Sequence, residues 1–337
     1  YIVVSTGAEA SIPPIPGLSE VSYLTNKTVF KLKTLPKRLI VLGTGPIGIE
    51  LGQGFRHLGS EVVMVDMASE LFGKDDPEVG PLMRDVLTKE GVELVLNAPI
   101  KSLSQEGGGF QVTVTKDGQN QIVEGDALLV ALGRRPNTQG LNLEGVGVKT
   151  DRGRIVTNAK LQTNVSNIYA CGDVTGPYQF THMAGYQAGI VIRNTVFKLG
   201  AKVDYRTVPW VTFTKPEIAH VGETEPSARE KGTYHDHVLV PLQQMDRAKS
   251  DDDRHGFLKC VFDRKKRLIG ATLVGEKAGE MISLAAMAIQ NKQKVTSFMG
   301  LIFPYPTQSE IYKFASLSVV KSGFKPWMQT LIKKIFL

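Results

Sequence analysis

Gly43-Thr44-Gly45-Pro46-Ile47-Gly48 is a glycine pattern whose residue types and spacing suit a phosphate group. It follows the apolar run Leu39-Ile40-Val41-Leu42 and opens a helical segment, and Asp66 closes a second apolar run, Val62-Val63-Met64-Val65. Strand, glycine turn, helix, strand and acid in this order give the context of a dinucleotide site. Gly43 permits the tight turn, Gly45 lets backbone approach a pyrophosphate, and Gly48 allows close packing of helix on strand. The helix start offers unpaired N–H groups and positive dipole to phosphate, and Pro46 suits its first turn. Asp66 can accept hydrogen bonds from ribose hydroxyls and would repel a 2′-phosphate. No Arg follows Asp66 closely, and Lys74 is the cation that could reach such a phosphate, so NADH is expected and NADPH is the alternative.

Elements must hold these residues in place, and a chain of 337 residues is long enough for two or three cores. A second helix is signalled at Asp76-Pro77-Glu78, where Asp76 can cap and Pro77 fits the first position; Val79, Leu82, Met83, Val86 and Leu87 follow at helical spacing. Residues 92–96 form the next strand. From 100 to 123 the period changes to two, with turns at Gly107-Gly108-Gly109 and Lys116-Asp117-Gly118, which predicts an antiparallel meander. A buried strand returns at 126–131, and Gly133-Arg134-Arg135-Pro136-Asn137 breaks it. A short strand precedes Cys171-Gly172-Asp173, and a helix begins near His182. Beyond Pro209 the pattern is α+β, with strands at 210–213, 238–242, 256–262 and 268–274 and helices at 278–290 and 308–320.

Composition excludes several classes. Hydrophobic residues make up 42% of the chain, as in a globular protein, and no apolar stretch approaches the roughly 18–20 residues that span a bilayer. The net charge of +7 comes from scattered Lys and Arg, with runs such as Arg264-Lys265-Lys266-Arg267 reading as hairpin turns. Without a reader motif or basic–aromatic strip, this balance fits an anionic cofactor or solubility better than nucleic acid. Two cysteines, Cys171 and Cys260, in no Cys-x-x-Cys spacing, exclude a disulfide scaffold and a cysteine zinc site. They fit a reducing compartment and a cytoplasmic location. His235-Asp236-His237 lacks a third nearby ligand and reads as a surface loop, and Asp251-Asp252-Asp253 reads as a solvated turn; no metal site is expected.

Five segments together carry a resemblance: Val4 to Gly7, Gly43 to Glu50, Leu132 to Asn137, Tyr169 to Val174 with Gln179 to Ala184, and Tyr305 to Glu310. In this order they resemble the pyridine-nucleotide–disulfide oxidoreductases, flavoproteins that include dihydrolipoamide dehydrogenase, glutathione reductase and mercuric reductase. The resemblance implies an α/β chain with a Rossmann-like NAD(P)-binding domain carrying an inserted β-meander, a partial FAD domain, and an α+β dimerisation domain. Residues 1–17 would end the FAD domain and lead into a linker, 18–137 would bind NAD(P)H, 138–204 would return to the FAD domain, and 205–325 would form a homodimer interface.

The resemblance also implies roles. Gly43 to Gly48, including Thr44, Pro46 and Ile47, would carry NADH rather than flavin, with Gly133 beside the nicotinamide half. Gly172 and Asp173 would meet the ribityl chain of FAD, and Thr181 would approach the isoalloxazine ring. Glu50 would face the flavin. Tyr305 stands where disulfide reductases place a His, and Glu310, five residues on, keeps the position of its acid–base partner. A tyrosine of pKa near 10 is a poor general base at neutral pH, though it can donate a hydrogen bond.

The pattern departs from the family in other places. An N-terminal unit with its own glycine motif and a Cys-x-x-x-x-Cys pair does not precede Tyr1 in this sequence, and Cys171 and Cys260 match no redox position. A chain that begins inside a domain is therefore expected. The basic amphipathic tail, 326–337, fits docking on its own protein or its dimer mate, or a weak contact of 322–337 with an anionic membrane surface. The leading expectation is an FAD-dependent NAD(P)H oxidoreductase that passes hydride from nicotinamide to flavin and then to an unidentified acceptor. The alternative is a non-catalytic, NADH-binding dimeric scaffold.

Overall fold

The runs flanking the glycine turn are apolar throughout because they are buried on both faces, the condition under which strands pair in parallel. In the computed structural model, which describes residues 1–253 and 255–323, Val92–Val95, Glu61–Val65, Arg38–Leu42 and Ala127–Val130 lie side by side in that order, all parallel. The helix Pro46–Leu58 covers one face. At Gly52 a Cβ would come within 2.4 Å of Met64 Cε and 3.4 Å of Val41 Cγ2, so a glycine lets the helix seat closely. Residues of opposite parity, Ile40, Leu42, Val63 and Val65, point to the other face. There they share a core with Leu103, Phe110, Val112, Val114 and Val123 of the meander, whose strands are Ile100–Glu106, Gly109–Lys116 and Gln119–Gly125.

This sheet belongs to the first of two units, formed by Tyr1–Ser69 and Val92–Tyr205. Its remainder is assembled from distant segments. Ile2–Val4 pairs in parallel with Ile168–Ala170, and Ala8–Ala10 runs antiparallel to Arg134–Pro136. Thr6 Oγ1 donates to Asn137 O at 2.6 Å and Asn137 Nδ2 donates back to Thr6 O at 3.0 Å. The helix Thr181–Thr195 begins one residue before the expected His182.

The second unit comprises Glu70–Gly91 and residues from Arg206 onward. Its five-stranded antiparallel sheet runs Pro209–Thr212, Glu217–Gly222, Leu268–Gly275, Phe257–Phe262, Asp236–Pro241. One face packs Ala219, Val221, Leu258, Cys260, Ala271 and Leu273 against the helices Ala278–Gln290 and Ile311–Ser322. The other face carries Trp210, His220, Thr272 and Lys259 in register across four strands.

Several expectations need correction. Glu217–Gly222 is a strand absent from the sequence reading. Asp236 and His237 open a strand rather than sit in a loop. The C-terminal helix begins at Ile311, after a 3₁₀ turn at Gln308–Glu310. Asp76 does not cap the helix Val79–Lys89, which follows Glu78 without a side-chain cap. Its carboxylate is drawn instead to the buried row of the sheet, where it accepts from Glu225 N–H at 2.8 Å and from the Thr272 hydroxyl. Among the described residues no helix is long and apolar enough to cross a membrane. The tail expected at 326–337 lies outside the described residues.

Candidate functional site

The glycine turn leaves the carboxyl end of Arg38–Leu42. Its sheet neighbours here are Glu61–Val65, next in the chain, and Ala127–Val130 on the other side. Ligands of open α/β sheets bind where strand order reverses in this way. Gly43 takes φ +99°, a left-handed conformation that favours glycine, and a Cβ there would stand 2.5 Å from Ala131 O. At Gly48 a Cβ would meet Gly43 O at 2.0 Å, whereas at Gly45 it would meet nothing within 4 Å. The turn is thus packed shut toward the protein and open outward at Gly45. Pro46 is at the helix start, and the N–H groups of Ile47 and Gly48 have no carbonyl four residues back within the helix. These features fit the pyrophosphate of a dinucleotide.

Asp66 follows Glu61–Val65 directly. Its Oδ2 accepts from Thr44 N–H at 2.6 Å and from Thr44 Oγ1 at 2.8 Å, and its Oδ1 accepts from Ala68 N–H at 2.8 Å. The sequence placed Thr44 in the loop without showing that it grips the acid. Glu50 is half-buried within the helix Pro46–Leu58. Gly133 takes φ +101°, and a Cβ there would also meet nothing within 4 Å.

A second set lies around Gly172 and Asp173 in the same unit. Gly172, at φ +79°, donates its N–H to the Oε1 of the buried Gln187 at 2.7 Å, and Gln187 Nε2 donates to Tyr205 OH at 3.0 Å. Asp173 opens a 3₁₀ turn and is paired with Arg134, Nη2 to Oδ2 2.8 Å. Arg134 also donates to Ala8 O at 3.1 Å, so three separated segments meet at one guanidinium. The sequence motif contained Arg134 but did not reveal this pairing. Thr181 is the first residue of its helix and is exposed. A carboxylate with acceptor positions to spare beside an exposed helix start fits hydroxyls and an electron-rich ring.

Two family models match the chain: "Pyridine nucleotide-disulphide oxidoreductase" over residues 1–188, and the dimerisation domain of the same family over 208–316. The chain belongs to the pyridine nucleotide-disulphide oxidoreductase family. That family is FAD-dependent and works with NAD(P)H. Mercuric reductase of Staphylococcus aureus is 40% identical over 325 residues, covering 96% of this chain and 59% of that protein. Mitochondrial dihydrolipoyl dehydrogenase of Pisum sativum is 33% identical, with 94% of this chain and 64% of that protein covered. Among solved structures, the HOCl-induced flavoprotein disulfide reductase RclA of Escherichia coli superposes with a TM-score of 0.87 at 33% identity. It covers 94% of this chain and 73% of the other. The chain spans about three fifths of the length of the mercuric reductases it matches.

In this member of the family the Tyr305 and Glu310 side chains are engaged separately. Tyr305 is exposed, and its hydroxyl donates to Asp246 Oδ2 at 3.2 Å. That bond, with the charge of Asp246, raises the phenol above its ordinary pKa. Glu310 closes a capping box, accepting from Thr307 N–H at 3.5 Å. Both cysteines are buried: burial raises the Cys171 thiol and pushes Cys260 up to about 12. Neither is a reactive thiolate at neutral pH.

A buried charge cluster in the second unit was also missed. Lys259 Nζ reaches Glu78 at 2.8 Å, Glu225 at 2.6 Å and Asp76 at 3.4 Å. Burial alone would lower the lysine and raise Glu225. For the lysine, its hydrogen bonds to Glu225 and Glu78 with the charge of Asp76 together outweigh burial and raise it, and for Glu225, Lys259 and Arg229 together do so and lower it. The signal available was one lysine inside the apolar run Phe257-Leu258-Lys259-Cys260-Val261-Phe262.

Proposed function

We propose that this chain serves an FAD-dependent NAD(P)H oxidoreductase, with residues 18–137 holding NADH and residues 205–325 forming a homodimer. The observation that carries the reading is the turn at Gly45, open to a ligand on one side and closed on the other, beside an anchored Asp66. The N–H groups of Ile47 and Gly48 bind the pyrophosphate, with the helix dipole adding to the attraction. Asp66 accepts from a ribose hydroxyl, and Gly133 leaves space for the nicotinamide ring to approach backbone. Residues 1–17 and 138–204 contribute to the FAD surface, where Arg134 holds Asp173 toward the ribityl hydroxyls and the helix start at Thr181 favours negative charge near the ring. FAD, when bound, supplies the acceptor for hydride from NADH.

Electrons leave the flavin by a route that does not pass through Cys171 or Cys260, because both thiols are buried and held protonated. Tyr305 and Glu310 are the residues proposed to serve the acceptor side, Tyr305 as a hydrogen-bond donor rather than a base, and Glu50 is proposed to face the flavin. A cytoplasmic location fits two buried, unpaired thiols. Calorimetric titration of the purified protein with NADH, then with FAD, tests the reading. Saturable binding of NADH is expected, and anaerobic bleaching of added FAD by NADH would extend it to turnover. A protein that binds no NADH at millimolar concentration sinks the proposal, and a monomer at every concentration in sedimentation sinks its homodimer.

A further inference from the structure

Asp66 is held more firmly than the end of a strand requires. Its backbone N–H donates to Val95 O at 3.1 Å, and its carbonyl accepts from Ala98 N–H at 2.9 Å. Its carboxylate then takes three donors from its own chain, two of them on one oxygen and both from Thr44. Thr44 is itself buried, between Gly43, whose left-handed turn is fixed by Gly43 N–H to Val65 O at 2.8 Å, and Gly45.

A carboxylate offers about four acceptor positions. The Thr44 amide and hydroxyl fill those on Oδ2, and Ala68 takes one on Oδ1, which leaves one for a ligand. We propose that Thr44 is a specificity-determining residue of the nucleotide site: its two donors lock the Asp66 carboxylate so that one acceptor position meets a ribose hydroxyl and a 2′-phosphate meets a fixed negative charge. This rests on the cofactor reading above. An unanchored aspartate rotates its charge away from an incoming phosphate, and an anchored one cannot. The same geometry commits the Thr44 amide to Asp66, so the pyrophosphate must rely on N–H groups further into the turn and helix.

The test measures Kd for NADH and for NADPH by calorimetric titration of the full chain. Thr44→Val removes the hydroxyl at similar volume, Thr44→Ala removes it with less volume, and Thr44→Ser keeps it. Wild type and Thr44→Ser are expected to prefer NADH by the same ratio. Thr44→Val and Thr44→Ala are expected to lose about tenfold of that ratio, equivalent to about 1.4 kcal/mol, with NADH weakened and NADPH not. A residue that only stabilises the turn would weaken both nucleotides alike, so an unchanged ratio in either hydroxyl-free variant overturns the proposal while leaving the cofactor reading intact. Wild-type protein that binds neither nucleotide overturns both.

Discussion

Gly45 and Gly48 make opposite demands on the same turn, and replacing each with alanine separates ligand approach from folding. Gly45 has φ −71° and ψ 174°, which any residue adopts, and a Cβ there has no neighbour within 4 Å. Gly45→Ala therefore leaves the native structure intact and restricts the unfolded chain, a gain of about 0.4–1 kcal/mol. At Gly48 the added carbon would stand 2.0 Å from Gly43 O and 3.1 Å from Gly43 C, both backbone atoms that cannot swing aside. Gly48→Ala must push the helix off the turn, at a cost of about 1–3 kcal/mol.

Binding reverses the order of harm. A methyl at Gly45 stands where phosphate oxygens would meet the turn, and an N–H···O contact of about 2.9 Å lapses when forced beyond about 3.5 Å. One hydrogen bond to a charged group is worth about 1.5–3 kcal/mol, so NADH affinity should fall by about tenfold to a hundredfold. Thermal unfolding followed by circular dichroism gives the first quantity, and calorimetric titration with NADH gives the second. A Gly45→Ala protein with unchanged melting and an NADH Kd within about twofold of wild type would refute the reasoning, because the pyrophosphate would then not approach this glycine.

Other consequences follow from buried groups. Lys259→Met leaves Asp76, Glu78 and Glu225 gathered without the cation they share, while Glu225 keeps Arg229 at 2.6 Å, and urea denaturation should show a loss of about 3–5 kcal/mol; a loss below about 1 kcal/mol would contradict a cluster that depends on this lysine. Burial lowers His220 to about 4 from 6.5, so the unfolded chain binds the extra proton in between. Stability should be complete above about pH 6.5 and decline by about 3 kcal/mol as pH falls toward 4; an imidazole resonance titrating near 6.5 would count against this. With burial raising both thiols, Cys171 and Cys260 should react with an aromatic disulfide reagent at pH 8 only after unfolding, and rapid labelling of the native protein would contradict their placement.

Much of this was legible in the sequence because it rests on local pattern. The glycine turn, the acid after the second strand and the meander follow from spacing alone, and the helix Ala278–Gln290 has the expected bounds. Harder to read were features in which a polar residue is satisfied from far along the chain. The strand Glu217–Gly222 carries His220 in its middle, which breaks the apolar run. It is buried because Trp210 packs against it, the two rings tilted by 32° with centroids 4.3 Å apart, and Thr272 stands 2.7 Å from its Nδ1. Asp76 before Pro77 looks like a cap, and only the folded sheet brings Lys259 and Thr272 to it. Arg134 and Asp173 likewise sit in separate motifs whose meeting depends on the pairing of Ala8–Ala10 with Arg134–Pro136.

Three aspartates, Asp76, Asp66 and Asp173, show how function separates from structure when donors are counted. Asp76 is 1% exposed, and its oxygens take the Glu225 N–H, the Thr272 hydroxyl and the Lys259 ammonium. Buried and surrounded by its own chain, it can hold no ligand. Asp66 has three of about four positions filled, all by donors that fix its direction. That suits the recognition of one hydroxyl at a set angle. Asp173, among the described residues, has Arg134 as its charged partner, through Oδ2, and its side chain remains 15% exposed. Its free Oδ1 can accept from successive hydroxyls of a flexible polyol, while the guanidinium keeps the carboxylate in place. Local sequence reads Asp76 as a helix cap and Asp66 as a ribose acid, and the resemblance alone gives Asp173 a flavin contact. The number of positions left open leaves Asp76 no room for a ligand, and fits the proposed roles of Asp66 toward one hydroxyl and of Asp173 toward several.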